Sequence, residues 1–142
     1  RVDAPDGQSA LFTGDGIFLR SFGRPDLGGQ AEAWTPLLYR SLTETLPAIV
    51  DPGTLILPAH FSHLDEGGAD GIFGAPYSSV AAHNDALRHR DEAEFAAYVL
   101  GHLPVFPAEY VEIKRVNIGL TEAGERAADE LELGKNVCAL SE

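Results

Sequence analysis

The sequence predicts an α/β domain, a short β-sheet covered by helices, and three observations carry that prediction. Two short apolar runs, Ala10-Leu11-Phe12-Thr13 and Thr54-Leu55-Ile56-Leu57, have the length and composition of buried strands. Between them, Trp34, Leu37, Leu38, Ser41, Leu42 and Leu46 approximate the i, i+3, i+4, i+7 spacing of an amphipathic helix. Each apolar run leads into a polar residue, Thr13-Gly14-Asp15 in one case and Pro58-Ala59-His60 in the other. In α/β sheets ligands gather at the carboxyl ends of strands, where side chains are held rigidly and face a crevice.

Taken in order, Asp3-Ala4-Pro5-Asp6-Gly7 is turn chemistry, which makes Arg1-Val2 the end of a strand forming a hairpin with the first run. A second apolar stretch, Ile17-Phe18-Leu19, follows, and residues 21–30, rich in Gly and polar side chains, read as a loop. Pro36 is natural in the first turn of a helix with Thr35 as N-cap; otherwise the helix is kinked there. Pro52-Gly53 is a turn. Residues 61–77 hold four Gly and read as an irregular excursion of a length usually reserved for functional or mobile loops. A short helix is expected over 79–87. Asp91 and Glu94 make a capping-box-like start for another, with Phe95, Val99 and Leu103 inward and Pro104 and Pro107 ending it. Tyr110, Ile113, Val116 and Asn117 suggest one more helix. The tail from residue 121 to 142 is acidic and weakly patterned, its one apolar cluster lying at 137–140.

The 142 residues suffice for one domain with a core. No apolar run approaches the ~18 residues that span a membrane. The formal net charge of −12 sets the chain against nucleic acid phosphates and anionic membranes, so neither is expected as a partner. Two Lys stand against eight Arg; an acidic, Lys-poor surface fits a salt-adapted organism, and a GC-rich genome is the alternative explanation. A single Cys, Cys138, excludes an internal disulfide and points to a reducing cytoplasm.

A carboxylate and an imidazole brought together at the ends of two strands could form a metal site or a general-base pair. The order of the surrounding motifs sharpens this, because the sequence resembles the metallo-β-lactamase superfamily. Phe12-Thr13-Gly14-Asp15 matches the family's strand-end Asp motif, and Leu57-Pro58-Ala59-His60 its later (Gly/Ala)-His motif. Gly23-Arg24-Pro25-Asp26 resembles the Gly-Arg-(Thr/Pro)-Asp signature of the persulfide dioxygenase and rhodanese-linked branch. Asn84-Asp85-Ala86-Leu87 resembles an Asn-Pro-x-Leu segment, and the Pro-rich turn before Tyr110 and the late Asn117 also fit. The resemblance covers about residues 1–120, leaving 121–142 as an acidic tail similar to that of salt-loving archaeal members. It implies the second half of an αββα sandwich: the family's His-x-His-x-Asp-His motif and its later Gly-His ligand lie upstream of the strand-end Asp and are absent from a chain that opens at Arg1 and contains no Met. The missing first half is therefore an expected partner, and a half-fold with an uncovered apolar face is also expected to self-associate as a homodimer.

For a persulfide dioxygenase the resemblance implies one Fe(II) held by two His and one Asp, the Asp corresponding to Asp15, with low-molecular-weight thiol persulfide oxidised by O2 to sulfite. A two-His-one-carboxylate site leaves positions open for O2 and substrate. Arg24 would hold a substrate carboxylate or order the site through an ion pair, with Asp26 as its nearest partner, and His60 would orient the ligands. The competing resemblance is to a glyoxalase II-like thioester hydrolase, in which Asp15 bridges two Zn(II) and His60 is a direct ligand. Ala59, where hydrolases usually carry Gly, disfavours it; Ser62, where dioxygenases often carry Tyr, weighs the other way. The third expectation is a non-catalytic fragment that holds no metal by itself, Asp15 and His60 being too few ligands. His63 is expected to reach the same crevice and contact substrate. His83, His89 and His102 are expected to be solvated or capping groups, Cys138 has only Lys135 nearby to favour a thiolate, and Trp34 and Tyr110 sit at core spacing.

Overall fold

A computed structural model describes residues 1–88, 91–107 and 109–132. His89, Lys135, Cys138 and the apolar cluster at 137–140 lie outside the described residues. The described chain forms two compact units, Arg1–Leu103 and the residues from Pro104 onward. The sequence reading carries the enzyme-like segment to about residue 120; in the structure residues 104–120 belong to the second unit.

The first unit is built on a four-stranded mixed sheet in the order β1 (Val2–Asp3), β2 (Ser9–Gly14), β3 (Leu55–Pro58), β4 (Ala75–Pro76). The expected hairpin is present: Val2 pairs with Ala10 and Asp3 with Ser9, and the turn closes through Ala4 N–H to Gln8 O (2.7 Å) with Gly7 at φ 85°. β3 lies parallel to β2, with Ala10 opposite Leu55, Leu11 opposite Ile56 and Phe12 opposite Leu57. Parallel neighbours need a crossover, and a helix supplies it. The sheet alternates as strands must. Leu11 and Ile56 are buried, whereas Phe12, expected in a buried strand, points to the other face and is 68% exposed.

The crossover is one long helical stretch in three parts: α1 (Ala31–Arg40), a π-helical turn at Ser41–Thr45, and α2 (Leu46–Ile49). It starts five residues before Pro36, so Thr35 is not its N-cap. Thr35 is buried within the first turns and its Oγ1 donates to Ala31 O (2.7 Å). Leu42 and Leu46 face the core as the spacing predicts, but Trp34 is 44% exposed. The Trp34 indole lies on the backbone of Gly28, where a Cβ would come within 2.1 Å of the ring.

Residues 61–77 are more ordered than their glycine content suggests. They contain a 3₁₀ turn at Leu64–Glu66, a bridge between Gly67 and Phe73, and β4, which pairs antiparallel with β3. α3 (Tyr77–His83) stops at Asn84, which takes an extended backbone before a 3₁₀ turn at Asp85–Arg88, so the helix expected over 79–87 is two pieces. α4 (Glu92–Gly101) begins as the sequence predicts: Asp91 Oδ1 accepts the N–H of Ala93 (2.9 Å) and Glu94 (3.1 Å). It ends before Pro104. Phe95 and Val99 are fully buried, and Phe95 packs against Phe22 and Tyr39 at ring-centroid distances of 5.7 and 5.4 Å. The core thus joins Leu11 and Ile56 of the sheet, Leu42 and Leu46 of the crossover, Val80 of α3 and Phe95 of α4.

The second unit holds α5 (Glu109–Asn117) and α6 (Glu125–Glu132), which pack on each other. α5 lies where the sequence predicts a helix but buries no residue; Tyr110, expected in a core, instead stands edge-on to Phe106 and near Lys114. Among the described residues no helix is long and apolar enough to cross a membrane.

Candidate functional site

Because β2 and β3 run parallel in adjacent positions, their carboxyl ends lie side by side, and the residues that follow are Asp15 and His60. β2 spends one residue more than β3 to get there: after Phe12 opposite Leu57 the next pair is Gly14 opposite Pro58, so Thr13 is a bulge. Gly14 takes φ 53°, and its carbonyl accepts the N–H of Ala59 (3.1 Å), which ties the two exits together. Thr13 Oγ1 donates to Ile17 O (2.8 Å) and Gly16 N–H to Thr13 O (2.9 Å), folding the chain back just after Asp15.

The result is a direct contact between two residues 45 apart, His60 Nδ1 to Asp15 Oδ1 at 2.8 Å. A carboxylate only accepts, so with neutral imidazole the Nδ1 proton makes this bond and Nε2 keeps its lone pair. The His60 ring stands edge-on to Phe18, which is 1% exposed, at 5.9 Å between centroids. Both polar side chains are open to solvent, 52% for His60 and 60% for Asp15. An ion pair this exposed is worth at most about 1 kcal/mol; the pair is placed by the strands and is not what holds them.

The Gly23-Arg24-Pro25-Asp26 segment abuts this site through its backbone. A Cβ at Gly23 would lie 1.9 Å from the Asp15 carbonyl oxygen, so only Gly allows the two loops to touch. Arg24 then turns inward. Its side chain is wholly buried and donates from both Nε and Nη2 to the two oxygens of Asp26, each at 2.6 Å. That contact holds the Asp26 carboxyl below the ordinary carboxylate range, the hydrogen bonds from Arg24 being the main cause. Of the two roles the sequence allowed Arg24, ordering the site suits this geometry; a guanidinium with no exposed surface offers nothing to a substrate, and Asp26 is occupied by Arg24.

His63 is exposed at the start of the 3₁₀ turn, and its backbone N–H is held by Glu66 Oε1 (2.9 Å). His83 and His102 each place Nδ1 on the carbonyl four residues back, Ser79 at 2.8 Å and Tyr98 at 2.7 Å. Two residues that sequence reasoning left without a role matter here. Asn84 is fully buried, and its Nδ2 donates to Phe18 O (3.2 Å) and Ser21 O (2.6 Å) while Oδ1 accepts Ala86 N–H (3.1 Å). It clamps the segment that carries Phe18. Glu66 is a buried carboxylate in the loop after His60. An Asn just past a helix and a Glu in a Gly-rich loop are common, and nothing local marks them as buried.

No family model matches the sequence, and no curated protein matches it. Among solved structures the chain is similar to a crystal structure of a metallo-β-lactamase from Staphylococcus aureus subsp. aureus COL, with a TM-score of 0.62 and 24% sequence identity over 77% of this chain. The fold is metallo-β-lactamase-like. The chain spans 31% of the length of that structure, so the likeness concerns one part of the metallo-β-lactamase-like fold. Among the described residues no group of three or more His, Cys, Asp or Glu side chains is placed to hold a metal. With the proton moved to Nε2, His60 Nδ1 and Asp15 Oδ1 would instead both be open to a metal, and their 2.8 Å separation is close to the roughly 3 Å between neighbouring ligand atoms at bonds of about 2.1 Å.

Proposed function

We propose that this chain supplies the Asp15–His60 part of a metal-dependent catalytic centre whose other ligands come from a complementary half of the metallo-β-lactamase-like fold. The reaction we assign is oxidation of a low-molecular-weight thiol persulfide, in which persulfide, O2 and water give thiol and sulfite. The observation that carries the reading is the 2.8 Å contact between the residues closing two adjacent parallel strands. Such strand ends are where α/β sheets place ligands. Asp15 would hold Fe(II), which supplies O2 activation when bound. His60 would orient the Asp15 carboxylate through the hydrogen bond it already makes, leaving Oδ2 as acceptor. Arg24 and Asp26 support the assignment indirectly, by packing Gly23 against the Asp15 carbonyl.

A second reading is favoured by the same distance. Two ligand atoms on one edge of a shell also suit a dinuclear zinc thioester hydrolase with His60 as a direct ligand. The two separate on metal content and turnover, measured on the protein in the form its gene encodes. Iron with sulfite formed from glutathione persulfide supports the first, and two zinc ions with thioester cleavage the second. Asp15→Ala should lower either activity by at least about a hundredfold, the scale of a lost ligand or its immediate support. Full turnover in that variant removes Asp15 from the site.

A further inference from the structure

We propose that Glu66 is a positioning residue for His60, an assignment that rests on His60 belonging to the functional site. β3 ends at Pro58, and beyond Ala59 no strand pairing among the described residues holds the chain that carries His60. What holds its far side is Glu66. Its Oε1 accepts the backbone N–H groups of Ser62 (3.0 Å) and His63 (2.9 Å), the second and third residues after His60. Two N–H donors converging on one buried carboxylate oxygen are charge-assisted bonds, stronger and shorter-ranged in tolerance than neutral ones. The return bond, Glu66 N–H to His63 O (3.1 Å), closes the loop on itself.

Two further contacts fix this closed loop to the rest of the unit. Phe61, next to His60, stacks on Phe73 at 3.8 Å between centroids with an interplanar angle of 16°. Asp65, next to Glu66, accepts from Arg20 Nη2 (3.1 Å), and Arg20 lies two residues after Phe18, the ring on which His60 rests. Glu66 therefore sits where a single side chain sets the height of the His60 loop over Phe18 and Asp15. Its other oxygen, Oε2, is buried with no hydrogen-bond partner among the described residues. A glutamine amide could thus occupy that position while its oxygen keeps both backbone N–H groups.

This predicts opposite outcomes for two uncharged replacements. In Glu66→Gln the nuclear Overhauser contact between the His60 and Phe18 rings is retained; in Glu66→Leu, which cannot accept, it is lost while the Phe22–Phe95 contact in the core persists. A His60–Phe18 contact that survives in folded Glu66→Leu overturns the proposal. Should that variant not fold, amide exchange in the unaltered protein decides: the Ser62 and His63 amides are expected to exchange at least roughly tenfold more slowly than unstructured amides, and unprotected rates overturn it. Neither readout involves metal or turnover, so its failure is distinct from failure of the proposed reaction.

Discussion

Arg24 shows how much a side chain's direction decides. The sequence marks it as a basic residue in a motif beside the site, and as such it serves equally well as a substrate clamp or an internal strut. The structure buries it completely against Asp26. Removing a carboxylate that makes two short bonds to a buried guanidinium leaves that charge less well compensated, so Asp26→Asn should destabilise the fold on the order of 2 kcal/mol at pH 7, read as a lower urea midpoint; an unchanged midpoint would show the pair to be dispensable. The pH dependence follows from the lowered Asp26 pKa. A carboxyl depressed on folding contributes stability that is complete above its ordinary value of 3.8 and fades as pH falls toward the lower folded value. Asp26→Asn should lack that part of the acid-limb dependence. No signal in one sequence says whether a guanidinium points in or out. The glycine before it is more legible in retrospect: Gly23 is needed because another backbone occupies the space of its side chain.

At the scale of elements, periodicity and caps were readable wherever the cause is local. The Asp91 cap and the hairpin at residues 1–14 follow from turn chemistry and short apolar runs, whereas the expectation that Asp15 and His60 share a pocket rests on the resemblance, the residues being 45 apart in the chain. The errors have one cause, long-range contact. Trp34 has core spacing but rests on Gly28 at the surface. Phe12 sits in an apolar strand whose second face is open. The helix over 31–49 passes Pro36 and contains a π turn at Ser41–Thr45, while Leu42 and Leu46 on it are both buried in the core. Asn84 splits a helix to bond the loop below Phe18, and its replacement by Ala should cost about 2 kcal/mol, since the buried Phe18 carbonyl and Ala86 N–H lose this partner while the part-buried Ser21 carbonyl keeps the Phe18 N–H (2.9 Å). A thermal or urea midpoint equal to that of the unaltered protein would mean that water replaces all three bonds.

For the whole molecule, charge is the dominant property. A net −12 on 142 residues resists compaction at low ionic strength. Raising salt from 0.1 to 1 M shortens the screening length from about 10 to about 3 Å. The thermal midpoint is therefore expected to rise by several degrees over that range, as it would for a protein made to work in salt; a flat or falling midpoint would leave the Arg-over-Lys bias as a matter of codon composition. Buried pairs such as Arg24–Asp26 are screened far less and should not account for the rise.

The bulge at Thr13 makes residue count, as well as residue type, a condition on the site. Side chains alternate along a strand, so a one-residue change between Phe12 and Asp15 would slide Asp15 by roughly 3.3 Å and turn it to the opposite face. The same holds between Leu57 and His60. The hairpin turn at 4–7 and the Pro52-Gly53 turn lie on the other end of these strands and can lengthen without moving either residue. Length variation among proteins that share this arrangement should then be silent at one end of the sheet and forbidden at the other.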